Sequence, residues 1–169
     1  MARGVKIAIV VVLFGALAGV AYWQHERAER AEAEAAARTE ATNAMAEVNT
    51  AQASFGDQLK SASTDVLTAS MISMPRAGAA ITNSILPVID GYLAKLDRAL
   101  LLSGAYLAFH PELPQKTRDA LATLDKTSKQ LHGFRDQLVK LADEAVKGTL
   151  TLDELANQLA AVSMSLLLH

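Results

Sequence analysis

Seventeen consecutive residues, Ile7 through Trp23, carry no charge and no strongly polar side chain. Wound into a helix, the run is about 25 Å long, the short end of what crosses the hydrocarbon core of a bilayer. No equally apolar segment exists elsewhere to cover it inside a soluble fold. Arg3, Lys6 and the amino terminus precede it, and Gln24, His25, Glu26, Arg27, Glu29 and Arg30 follow with nearly balanced charge. Cationic flanks resist translocation, which places residues 1–6 in the cytoplasm, 7–23 across the membrane and the remainder outside. Tyr22 and Trp23 close the run, where amphipathic rings suit the headgroup layer of a lipid bilayer.

A cleaved signal peptide is the alternative. Ala16-Leu17-Ala18 and Gly19-Val20-Ala21 both resemble small-residue cleavage sites, although the apolar run exceeds the usual ~7–15 residues. Both readings export residues 24–169, the second as a soluble periplasmic protein. Without cysteine there is no lipidated cysteine, thiol catalysis, disulfide staple or covalent haem attachment. Gly15 and Gly19, four apart, share a helix face that lets a second helix approach, so the chain itself is a candidate partner.

The exported part is one domain's worth of chain. Removing Arg3 and Lys6 from the 16 Lys and Arg leaves 14, against 18 Asp and Glu, a balance of −4. No basic patch with interleaved aromatics is present, which argues against nucleic-acid binding. Proline and glycine are scarce and alanine is abundant, favouring helix nearly throughout.

Residues 24–40 hold strong helix formers and no large apolar side chain, with Glu26–Arg30 and Glu34–Arg38 as i,i+4 pairs. They read as a polar helical stalk. From 41 a stripe appears, Ala41, Met45, Val48, Phe55, Leu59, Ala62, Val66 and Ala69, interrupted by Gln52. Pro75 predicts a break near Met74. A second helix follows over 76–109, with a kink at Pro87, and its apolar surplus suits a central place in a bundle. The excess surface, Leu101, Leu102, Tyr106 and Phe109, together with the terminal Leu167 and Leu168, is the candidate interaction surface. His110-Pro111-Glu112-Leu113-Pro114 is a turn, with Pro114 opening a third helix that ends at Gly148. Thr151 through Glu154 match a capping box that starts the last helix. The fold class is therefore all-α: a single N-terminal transmembrane helix continuing into a stalk, then an antiparallel up-down bundle of three to four helices over 41–169.

Chemistry is sparse. His25, His110, His132 and His169 show no ligand spacing, no Glu-x-x-His motif appears, and there is no nucleophile elbow or phosphate loop. Asp90, one turn past Pro87, is the most unusual carboxylate; a solvated helix face explains it more simply than a ligand contact. No catalytic residue, metal or cofactor is expected. The architecture over residues 7–169, though no motif, resembles the four-helix periplasmic sensor domains of chemoreceptors and sensor kinases. That resemblance implies a ligand-sensing domain, here lacking its own signalling module. The layout is also similar to phage inner-membrane spanins, which broken helices after Pro75 disfavour. The primary expectation is a non-enzymatic accessory or scaffold subunit of the bacterial inner membrane, with its bulk periplasmic and assembling a protein complex.

Overall fold

The computed structural model describes the backbone of residues 2–112 and 114–167, and the side chains of 22–112 and 114–161. Among the described residues every element is helical: α1 Ala2–Ser70, α2 Met74–Ala80, a π-helical turn Ile81–Ile85, α3 Leu86–Phe109, α4 Gln115–Lys147 and α5 Leu152–Leu167. The segments from Met74 to Phe109 adjoin without a break, so the described residues form four rods. At 1.5 Å per residue, the 69-residue α1 is about 100 Å long.

Three side-chain pairs fix the register of α1 on α3. Phe55 stacks on Tyr92 with ring centroids 4.6 Å apart, Glu47 meets Arg98 at 3.4 Å, and Glu34 meets His110 at 2.7 Å. One number rises as the other falls, so the helices are antiparallel. The same holds for α4 on α3, where Arg135 pairs with Asp90 and Ser128 with Asp97. α3 touches both α1 and α4, and α5 returns against α4 and α1 with the sparsest contacts.

The apolar stripe of α1 buries Ala41, Ala44, Val48, Ala62 and Val66. Gln52 is exposed because Ala51 takes its place: spacings of 3 and 4 from Val48 lead through Ala51 to Phe55. Against this face α3 buries Leu86, Ile89, Tyr92, Leu93, Leu96 and Ala99, and α4 adds Leu131, Leu138 and Leu141. The second rod is thus the central one.

The first break lies a few residues earlier than the proline predicts. α1 ends at Ser70, and Ser73 then caps α2, its hydroxyl accepting from the Arg76 amide at 3.4 Å. Pro75 falls in the first turn of α2, where its missing donor costs nothing. At Pro87 the expected kink takes the form of a π turn. The Leu86 amide reaches five residues back to the Ile81 carbonyl, and the wider turn relieves the clash a proline ring makes with the carbonyl four residues before it. Pro114 is the N-cap of α4 rather than its first residue. Gly148, at φ 68°, ends α4: its amide and that of Thr149 satisfy the Ala145 and Glu144 carbonyls in a Schellman arrangement. The Thr151 amide donates to Glu154 at 2.8 Å and the Glu154 amide returns to the Thr151 hydroxyl at 3.3 Å, closing the expected capping box.

One glycine is required by contact. A Cβ on Gly78 would lie 2.5 Å from the Ala142 carbonyl oxygen and 2.7 Å from Val146 Cγ2, so the backbones of α2 and α4 approach closely there. Gly133, within α4, has nothing within 4 Å of that position. We expect Gly78→Ala to destabilise the fold by about 1–3 kcal/mol through overpacking. The same change at Gly133 should stabilise it by roughly 0.5–1 kcal/mol. Thermal unfolding of the two variants side by side checks the opposite signs.

Candidate functional site

The apolar run 7–23 lies on α1, but its residues up to 21, Gly15 and Gly19 among them, fall outside the side chains described. Among the described residues no helix is long and apolar enough to cross a membrane. Tyr22 and Trp23 are described and exposed. The Arg27 guanidinium sits 3.7 Å from the centre of the Trp23 ring, one turn along the same helix, a cation–π contact. On the same stretch Arg30 pairs with Glu26 at 2.8 Å and His25 meets Glu29 at 3.2 Å, each one turn apart.

The candidate surface on α3 does not act as one patch. Leu101 is 74% exposed and Phe109 41%. Leu102 is half-buried against the core, and Tyr106 is half-buried with its ring 5.1 Å from that of His110. The side chain of Leu167 and the whole of Leu168 lie outside the described residues. A second apolar region sits at the end where α1 stops, with Met71 81% and Ile72 62% exposed. The sequence does carry a signal for it: two large apolar residues, Met71 and Ile72, fall between the last stripe residue and Pro75, where no helix face can bury both.

Polar groups cluster between helices. Asp97 on α3 accepts from the Ser128 hydroxyl at 2.5 Å and faces His132 Nε2 at 3.0 Å, both on α4. Asp90 is held by Arg135 Nε at 2.6 Å, which pushes the guanidinium pKa up and makes a helix clamp of this carboxylate. His110 lies at the junction of α1 and the α3–α4 turn. Its Nε2 meets Glu34 at 2.7 Å and its Nδ1 meets Glu112 at 3.1 Å. Glu34 is thereby drawn to His110 rather than to Arg38 one turn along, a pairing that needs the tertiary fold to be seen. The Arg118 guanidinium donates to the Pro111 carbonyl and closes the same turn.

These arrangements supply ion pairs and hydrogen bonds between rods. Among the described residues no group of three or more potential metal ligands converges. The cleft between α1 and α3 beside Phe55, Tyr92 and Lys95 has a volume of about 150 Å³, below the ≈ 300–1,000 Å³ of ordinary ligand sites. Burial raises the Tyr92 phenol pKa there. The chain matches no family model, no curated protein and no solved structure.

Ser128 is buried, and Asp97 is the acceptor for its hydroxyl. We expect Asp97→Ala and Ser128→Ala each to lower the melting temperature. A double-mutant cycle between them should return a coupling of about 1 kcal/mol, the ordinary worth of such a bond when one partner is partly solvated.

Proposed function

We propose that the protein is a membrane-anchored, non-enzymatic scaffold: an N-terminal membrane helix holds an exported helical bundle at a set distance from the bilayer and presents it to a protein partner. One observation carries this reading. The segment 7–23 and the core wall 41–66 are parts of the same unbroken helix, α1. A helix is stiff over such lengths, so whatever fixes residues 7–23 also fixes the position and orientation of the bundle. Tyr22, Trp23 and the Arg27 cation over the Trp23 ring suit the interface between lipid and water. The exposed Leu101 and Phe109 and the distal Met71 and Ile72 supply apolar contact area for a partner or a second copy.

Ligand sensing is the alternative: the cleft beside the stacked Phe55 and Tyr92 rings is small, while wider surface grooves of about 630 and 450 Å³ run along residues 34–43 and beside Phe134 and Gln158. A cleaved, exported soluble form is the alternative for location.

The test is extraction of the full-length protein from native membranes. Resistance to alkaline carbonate, an intact mass that includes residues 1–23, and co-elution with a partner or a second copy in mild detergent are the expected results. A carbonate-soluble species beginning at residue 19 or 22 would overturn the anchor, and a lone monomer would overturn the scaffold. Leu101→Glu should weaken co-elution at least tenfold, the cost of placing a charge in an apolar contact being above about 1.4 kcal/mol, while leaving thermal stability within about 0.5 kcal/mol, as for other exposed positions.

A further inference from the structure

We propose that His110 is a protonation-controlled latch between the bundle and the stalk, closed when the imidazole carries both protons and released when it loses one. The argument starts from the inventory of donors. Glu34 and Glu112, when ionised, can only accept hydrogen bonds, and they face opposite nitrogens of one ring, Nε2 at 2.7 Å and Nδ1 at 3.1 Å. A neutral imidazole has a single N–H. It can satisfy one carboxylate, and its other nitrogen then turns a lone pair toward the second. Only the imidazolium satisfies both. The opposed placement also rules out a shared metal ion, since the two carboxylates cannot reach one atom from the two sides of the ring.

The latch joins the polar stretch of α1 to the α3–α4 turn. Glu34 belongs to the polar stretch of α1, one to two turns before the first buried residue of that helix, Ala41. Glu112 belongs to the α3–α4 turn. The groups facing the ring are Glu34 from α1, Glu112 from the turn and the Tyr106 ring from α3. Arg118 of α4 acts on Glu112 and holds the turn through the Pro111 carbonyl. Among the described residues the next ion pair between α1 and α3 is Glu47–Arg98, more than three turns farther along, with the buried Ala41 and Ala44 of the core between them. Releasing His110 therefore frees the α3–α4 turn from α1 without touching the core.

The direction of the response follows from the charges. The Glu112 hydrogen bond, followed by that to Glu34, raises the His110 pKa above its ordinary 6.5. A raised histidine contributes fully below pH 6.5, and its contribution fades as pH climbs through the elevated folded value. Glu112 is held below its ordinary 4.5, first by a backbone hydrogen bond and then by His110, so its share is lost only as pH falls through that depressed value. The closed window lies between the two and opens on the alkaline side. There the ratio of neutral to charged imidazole rises about tenfold per pH unit.

The chain has no cysteine, so Ala31→Cys and Lys116→Cys give a clean spin-label pair across the junction. Distances measured by pulsed electron resonance on the full-length protein in detergent should be narrowly distributed at about pH 5.5 and broader or longer at about pH 8.5. The variants His110→Gln and Glu34→Gln should respond to pH far less. Nitrogen chemical shifts of the wild-type ring should report two N–H groups at the acid end and a titration above 6.5. A distance distribution that ignores pH in the labelled wild-type sequence, an unchanged pH response in His110→Gln, or a ring that titrates at or below 6.5 would each overturn the latch.

Discussion

The unbroken course of α1 is the constraint on which the rest of the structure depends. A helix about 100 Å long cannot be covered by the three shorter rods of the same chain. Among the described residues its tertiary partners begin at Glu34, and the antiparallel rods can extend along it no farther than their own lengths permit. α3, with 24 residues, ends where His110 meets Glu34. Between Gln24 and Glu34 the described surface of α1 is polar, with side chains that pair one turn apart. That surface is compatible with water on every side, which is what allows the helix to continue without a bundle around it.

Packing within the bundle rests on shape more than on polar specificity. The largest fully buried side chains are Ile81, Ile85, Ile89, Leu96, Leu138 and Leu155, with no buried side-chain polar atom left unpaired among the described residues. The ion pairs between rods are half-exposed and are worth little individually. They do, however, select register: Asp90 with Arg135 and Asp97 with Ser128 and His132 line α4 up on α3 at points about two turns apart. The described anchors of α5 include its capping box and the buried Leu155 and Leu159.

Much of the fold was legible from the chain because helix signals are local. The Thr151–Glu154 box, Gly148 and the proline turn around His110 each act within a few residues, and each stands where the pattern puts it. What escaped needed a second strand of the argument. Nothing in the sequence singles out Gly78; only Ala142 against it shows why a side chain has no room there. Glu34 reads as the partner of Arg38 until the fold brings a residue 76 positions away beside it. Asp90 reads as a free carboxylate until Arg135 arrives. Pro87 signals a disturbance, but the form it takes depends on the residues before it. The surface residues were the least legible: Leu101 and Leu102 are identical and adjacent, and only the position of α1 and α4 around α3 decides that one faces out and the other in.

The π turn before Pro87 has a consequence for how this chain tolerates length changes. Ala77, Ile81, Ile85, Ile89 and Leu93 are spaced by four and all are buried. In a regular helix such a run drifts about 40° per step and leaves the core within a few turns. One over-wide turn absorbs the surplus residue and resets the phase. A single deletion inside 81–85 would therefore shorten the rod without rotating the faces on either side of it. It would also return Pro87 to a regular helix interior, where the ring has no room. The extra residue and the proline each make the other tolerable, and a descendant of this sequence that lost one should be found to have lost both.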